Sequence, residues 1–244
     1  MREGLTVWHR WQCQACAYAF TFPEGTHPYN CPKCGGQVRR GNDEIRACAG
    51  PRSLAHLHNA LIPQSLQFAI DMLPAIRWAL AQVRPVYPSA DLLDVGTGAG
   101  AGANLWAILY RSDFLGTPLY VDALDIEDDY LLHARNAYPA LRHVIHGRLE
   151  QDVRTWDIVT CSHVLEHLTD PAALIMACRA HARAFAIFYC PLDEDPPLPY
   201  HLCVISKAYI DQFEPAFYQE VESPGWRRGK CALFCLTGAP GWGR

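Results

Sequence analysis

The feature that most narrows the fold is an alternation beginning near residue 91. Apolar strand-like runs, DLLDV, LYVDALDI, RHVIH, WDIVTC and AFAIFYC, are separated by helical stretches. Parallel strands need long crossover connections, and short continuous apolar runs suit strands covered on both faces, so this pattern predicts a predominantly parallel sheet with helices packed against it. The last two runs, FYQEV and CALFCL, lack a clear helix between them and suit an antiparallel pair at the sheet edge. The expectation for residues 89–244 is therefore an α/β fold, a seven-stranded, mostly parallel sheet with flanking helices.

Composition removes several other classes. Half of the 244 residues are apolar and 19% are charged, which supplies a core and excludes a largely disordered chain. No apolar run approaches the roughly 18 residues of a membrane span, and MREGLTVWHRW lacks the apolar stretch of a signal peptide, so no membrane association is expected. Eleven cysteines are an odd count for a disulfide framework and point to reduced thiols, hence a cytoplasmic location. A net charge of −4 does not advertise a polyanionic partner.

Four of the cysteines are grouped. Cys13 with Cys16 and Cys31 with Cys34 form two C-x-x-C pairs separated by fourteen residues. Such pairs make tight knuckles whose backbone amides face the sulfurs, and two knuckles close a tetrahedron of thiolates around Zn²⁺. Four sulfurs leave no open position, so the metal would be structural and its binding energy would also fold a segment too short to bury a core. Redox-active pairs and an iron site are the competing readings. Tyr18, Phe20 and Phe22 alternate as in a strand packing on the metal loops, and the whole of 1–46 is expected to be a small zinc-ribbon domain. His9 and His27 are bystanders to four good thiolates. The segment's six basic residues against four acidic ones, with Trp8, Trp11 and Tyr29, suit RNA contact or a solvated face equally.

Residues 47–88 read as a linker followed by an amphipathic helix. Apolar residues from Leu66 to Val83 recur at helical spacing, with a kink expected at Pro74. His56 and His58 are taken as linker residues.

The first strand of residues 89–244 ends in DVGTGAG, residues 94–100. Glycines at a strand-to-helix turn permit a sharp bend and close approach of the backbone to a ligand, but the same letters satisfy a dinucleotide pattern and do not by themselves separate nucleotide binders. The second strand ends in Asp125, a carboxylate placed to take both hydroxyls of a ribose; Asp122, inside the strand, is the competing acid.

At the fourth strand, WDIVTCSHVLEHLTDP, residues 156–171, the chain resembles class I S-adenosylmethionine-dependent methyltransferases, and the resemblance runs in order over roughly 91–237. It rests on Asp94 to Gly100, on Asp125, and on Asp157 with Leu165, Glu166 and His167. What it implies is a Rossmann-like sheet and an S-adenosyl-L-methionine cofactor. Asp94, Gly96, Gly98 and Gly100 would then border the amino-acid moiety, Asp125 would bind the ribose and Ile126 would border the adenine. The family's usual Gly-Asp after the third strand is replaced by GRLEQD with Arg148 in that place, leaving Glu150, Asp152 or a backbone carbonyl for the adenine amino group. The usual Pro-Gly-Gly before the fifth strand is also missing.

Methyl transfer needs a nucleophile aligned with the sulfonium methyl and, for a protonated acceptor, a base. His163, His167 and His201 follow the fourth or fifth strand, at the carboxyl edge where open α/β sheets bind ligands, and are the catalytic candidates. The leucine-glutamate-histidine turn also has a loop-ordering reading. Cys161, Cys178, Cys190, Cys203, Cys231 and Cys235 read as small buried hydrophobes. The Pro-rich, acidic PLDEDPPLPYHL, residues 191–202, suits a substrate lid or a solvated connector, and its acids disfavour phosphate. Trp226, Arg227, Arg228 and Lys230 mark a hairpin and a second place for RNA contact. The leading function is methylation of a small molecule. The competitor is a methyltransferase of ribosomal or transfer RNA that grips its polymer with the ribbon, an organisation that some ribosomal-RNA guanine methyltransferases share. A non-catalytic binding module and a nicotinamide oxidoreductase stand behind these.

Overall fold

The computed structural model describes residues 5–13, 19–23, 37–40, 61–83, 88–226 and 229–239. Within 5–40 the description is one of backbone pairing. Residues 88–239 contain β4 (Ala90–Val95), α3 (Ala101–Leu109), β5 (Leu119–Asp125), α4 (Asp128–Ala137), β6 (His143–His146) and β7 (Trp156–Ser162), followed by α5 (Pro171–His181), β8 (Ala182–Pro191), β9 (Cys203–Ile205), α6 (Lys207–Asp211), β10 (Phe217–Val221) and β11 (Cys231–Thr237). Ahead of these lie β1 (Leu5–Cys13), β2 (Ala19–Pro23), β3 (Val38–Arg40), α1 (Ile62–Asp71) and α2 (Leu73–Val83).

Seven strands form one sheet in the order β10-β11-β8-β7-β4-β5-β6. Pairings β4 with β5 and β7, β5 with β6, and β7 with β8 are parallel, while β11 runs antiparallel to both β8 and β10. Both predictions for the sheet, seven strands and an antiparallel pair among the last, hold. The strand order reverses beside β4, which places a crevice at the carboxyl ends of β4 and β7. Core packing follows the two-residue strand period: Leu92 faces one apolar cluster with Met72, Ile76, Trp106 and Ile187, and Leu93 faces the other with Trp156, Ile175, Phe188 and Phe234.

At the opposite edge of the sheet, charged side chains are paired rather than poised. Asp122 is buried and accepts from Arg142 Nε at 2.9 Å and Trp156 Nε1 at 2.8 Å, so this acid inside the strand is structural. Asp157 accepts from the Asp91 amide at 2.8 Å and from Arg183 Nε at 2.8 Å, tying β4, β7 and β8 together.

The single kinked helix expected over 64–83 is two helices. Their break falls at Met72, two residues before Pro74, because a proline at 74 cannot donate to the Ile70 carbonyl. The Met72 amide keeps its ordinary helical bond to Phe68 O at 3.0 Å, and the Ile76 amide bonds Met72 O at 3.1 Å, so the two helices remain nearly continuous across the break. α1 crosses α3 closely, since a Cβ on Gly102 would stand 3.1 Å from Ser65 O and 3.2 Å from Ala69 Cβ.

The amino-terminal strands form a small antiparallel sheet in which β1 pairs with β2 and β3. β2 contains Phe20 and Phe22, as their alternation predicted. The first residues of β1 also pair antiparallel with β9, Leu5 opposite Ile205 and Val7 opposite Cys203. Cys13 closes β1; Cys16, Cys31 and Cys34 lie outside the described residues, as do His27, Tyr29, His56, His58, Arg227 and Arg228. Among the described residues no helix is long and apolar enough to cross a membrane.

Candidate functional site

A cavity of about 450 Å³ opens at the carboxyl ends of β4 and β7. Its floor is Asp94, Gly96, Thr97 and Gly98; α1 contributes Gln64, Ser65 and Phe68, with Met72 just beyond it; the far wall is Ser162, His163, Glu166, His167, Tyr200, His201 and Trp226.

Local backbone explains the floor. Gly96 and Gly98 have φ of +71° and +57°, a region that favours glycine. A Cβ on Gly96 would stand 2.3 Å from Val164 Cγ2, whereas one on Gly98 would meet nothing within 4 Å. Gly96 is therefore needed for packing against the turn after β7, and Gly98 keeps open the space a ligand would enter. Gly100, with φ of +81°, caps the start of α3, and a Cβ there would stand 2.9 Å from Ala134 Cβ of α4, so it serves the turn rather than the cavity lining.

Asp94 is buried beneath the loop, accepting from Thr160 Oγ1 at 2.9 Å. Burial pushes its carboxyl up to about 6, against the hydrogen bonds from Thr97 and Thr160 that pull it down. Such a carboxylate is poised for a cation. Asp125 closes β5, with Oδ2 accepting the Gly98 amide at 2.7 Å and Oδ1 the Glu127 amide at 2.9 Å. Burial raises this carboxyl too, although the backbone amides oppose it. Each oxygen keeps a further lone pair, so the residue both splints the glycine loop and can still accept from a hydroxyl. Ile126 beside it is 46% exposed. Glu150 is exposed on the short turn Leu149–Gln151 and is not among the residues that line the cavity. Asp152 is engaged by Arg154, whose hydrogen bond holds that carboxyl down at about 2.

The three histidines come together. His163 has φ of +52° at the end of β7, and its ring stacks on Phe68 with centroids 3.7 Å apart and an interplanar angle of 9°. Its Nδ1 lies 3.0 Å from Glu166 Oε1. Glu166 is 2% exposed on the turn Leu165–His167. Burial pushes its carboxyl up, but the His163 ring, with His167 and His201 nearby, outweighs this and holds it at about 2. His167 Nδ1 lies 3.1 Å from Tyr200 O, and burial lowers its pKa. His201 is 2% exposed, stacks on Trp226 at 5.6 Å, and places Nδ1 2.5 Å from Glu194 Oε2. One ligand atom from each of Glu166, His167 and His201 falls within 4.8 Å of the others.

Several sequence expectations change here. The segment 191–202 is not a solvated connector but forms part of the cavity wall: Glu194 is buried, accepts the Leu198 amide at 2.9 Å, and holds His201 in place. Trp226 is buried against His201 and His163, because an apolar ring gains more from the cavity than from a surface patch, and so is not a surface for RNA. Lys230 pairs with Glu220 at 2.7 Å. The six cysteines of the catalytic half are buried and free, as expected, and burial raises Cys231 and Cys235 to about 12. Sequence reasoning missed Gln64, Ser65, Phe68 and Trp226 as cavity residues. For α1 the signal was present in the stripe Leu61, Ser65, Phe68 and Met72, which repeats every three or four residues; for Trp226 there was none.

Similarity to known proteins agrees with this geometry. Residues 93–188 match the model of a family described as a methyltransferase domain. The ubiquinone biosynthesis O-methyltransferase of Neisseria meningitidis is 28% identical over 134 residues, 51% of this chain and 52% of that protein. That of Hahella chejuensis is 28% identical over 164 residues, 62% of this chain and 66% of the other. The chain thus spans about half the length of the first of these relatives. Among solved structures, magnesium protoporphyrin IX methyltransferase from Synechocystis PCC 6803 with bound SAH superposes with a TM-score of 0.55 at 16% identity, covering 73% of this chain and 87% of that one, a likeness of fold.

Proposed function

We propose that this chain, which carries a class I S-adenosylmethionine-dependent methyltransferase domain, transfers a methyl group to a hydroxyl oxygen of a small molecule. The observation that carries this is the single cavity joining the glycine loop at the end of β4 to a wall of three imidazoles and a carboxylate.

The residues present suit the cofactor. The space over Gly98 is open, Ser162 Oγ is buried on the cavity without a hydrogen-bond partner, and the Asp94 carboxyl is held near 6 by burial, ready to be relieved by an ammonium group. Asp94 and the amides of the Gly96–Gly98 loop would hold the amino-acid end, and Asp125 the ribose hydroxyls. Ile126 would border the adenine, and Glu150 remains the candidate for its amino group. When bound, S-adenosyl-L-methionine supplies an electrophilic methyl on a sulfonium.

The chain's own residues do the rest. Phe68, Trp226 and Tyr200 offer flat apolar faces that orient an acceptor and exclude water. His163, held at Glu166, supports the wall, while His167 and His201 face the cavity as the groups that favour loss of the acceptor's proton. The named O-methyltransferase relatives support oxygen as the methylated atom.

The amino-terminal segment is included in this reading as a structural Zn²⁺ site of Cys13, Cys16, Cys31 and Cys34, supported by their spacing. A cytoplasmic enzyme with reduced thiols accords with the six free cysteines.

The test is transfer of methyl-labelled cofactor to a soluble extract, followed by separation by size and nuclease sensitivity. Label in low-mass products is the expected result. Label confined to nuclease-sensitive polymer would overturn the small-molecule assignment, and failure to bind the cofactor by calorimetry would overturn the enzyme.

A further inference from the structure

We propose that Glu166, His167 and His201 bind a divalent first-row transition-metal ion on the cavity wall, and that this ion holds the oxygen to be methylated. Three observations converge. The donor atoms of the three residues already lie within 4.8 Å of one another. Glu166 is 2% exposed; its Oε1 lies 3.0 Å from His163 Nδ1, while its Oε2 is buried without a hydrogen-bond partner. A buried carboxylate oxygen without a partner is costly, and a cation at Oε2 would complete it.

The third observation is how the rings are held. His201 Nδ1 is fixed by the Glu194 carboxylate and His167 Nδ1 by the Tyr200 carbonyl. Metal-binding imidazoles are commonly oriented this way, with one nitrogen bonded to a carboxylate or carbonyl and the other turned to the ion. Glu194 is itself buried and braced by the Leu198 amide, so the bracing is built into the fold. The positions come from separate parts of the chain, the turn after β7 and the segment before β9, which are joined by a hydrogen bond from the Leu202 amide to Glu166 O at 2.7 Å.

Two imidazoles and one carboxylate select a transition ion such as zinc, iron or cobalt over magnesium or calcium, which prefer all-oxygen shells. Three protein ligands leave positions for a substrate oxygen. The catalytic role rests on the methyltransferase reading. An acceptor hydroxyl bound to the ion loses its proton to solvent; its oxygen then forms the bond to the methyl carbon as the sulfur–methyl bond breaks, and that electron pair stays on sulfur as a neutral thioether.

The experiment is a Co²⁺ titration of the full chain, followed by absorption, with cofactor affinity measured on the same samples by calorimetry. Cobalt on nitrogen and oxygen lacks the intense near-ultraviolet charge-transfer band of thiolate-bound cobalt, which separates this site from the amino-terminal cysteines. The expected result is one equivalent without that band, lost in Glu166→Gln and His167→Ala and weakened about tenfold to a hundredfold in Glu194→Gln. Retained cofactor binding would show that these variants fold. A wild-type chain that binds cofactor but takes up no such equivalent would overturn the metal site and leave the methyltransferase standing. Uptake unchanged in Glu166→Gln would also overturn it. Metal uptake without cofactor binding would uphold the site and sink the enzymatic reading instead.

Discussion

Cofactor binding should release a proton from Asp94. Its carboxyl sits at about 6, against an ordinary 3.8, because it is buried beneath the glycine loop. Native Asp94 thus holds a proton between those values while the unfolded chain does not, so this group's contribution to stability is largest below pH 3.8 and is lost as pH rises through 6. The difference is about 2 pH units, or about 3 kcal/mol. An ammonium group bound at the loop would offset the burial and return the carboxyl toward its ordinary value. Affinity should then be about tenfold weaker at pH 5 than at pH 7.5, with about half a proton released per cofactor bound at pH 6. Titration calorimetry in buffers of different ionisation enthalpy reads that proton directly. Asp94→Asn keeps an acceptor for Thr160 but cannot ionise; it should abolish the release and raise the stability of the free chain at pH 7.5 by up to about 3 kcal/mol. Equal proton release from wild type and variant would refute the assignment of Asp94 to the cofactor's cationic end.

Gly98→Ala should cost the free chain only the backbone strain of φ +57°, about 1 kcal/mol, while sharply weakening cofactor binding; Gly96→Ala should cost more in thermal unfolding because its Cβ meets Val164. Equal effects of the two on both readouts would contradict the division of labour between them. Asp125→Ala removes the acceptor of the Gly98 and Glu127 amides and should weaken cofactor binding about tenfold or more, with unchanged calorimetric affinity the refuting result. Trp106→Phe leaves Ala69 O without the donor now 3.0 Å away and should lower stability by about 1–3 kcal/mol in denaturant unfolding; a loss below 0.5 kcal/mol, the size of an ordinary surface change, would show that α1 is not pinned there.

The sheet was legible because buried parallel strands leave continuous apolar runs, and WDIVTC and AFAIFYC became the paired β7 and β8. The glycine loop was legible for a related reason, since positive φ at Gly96 and Gly98 restricts the residue type. The remainder of the cavity depends on long-range closure. Glu194 looked like one of three solvated acids, and only folding of 191–202 onto the turn at Glu166 turns it inward against His201. Likewise α1 was visible as an amphipathic helix, but nothing local says that its apolar face lands on α3 and the cavity rather than on the sheet alone. Pro74 signalled a kink, while the position of the break at Met72 was settled by which carbonyl lost its donor.

The pairing of β1 with β9 carries one more consequence. Residues 203–205 follow His201 by a single residue, and their outer edge is covered by backbone from the start of the chain. A protein trimmed to begin at Leu61 would retain every strand of the large sheet yet leave β9 with a bare row of amides and carbonyls beside the cavity wall. Such an edge invites a strand from a second molecule, so trimming the amino terminus to simplify crystallisation would promote intermolecular strand exchange, with His201 resting on borrowed backbone.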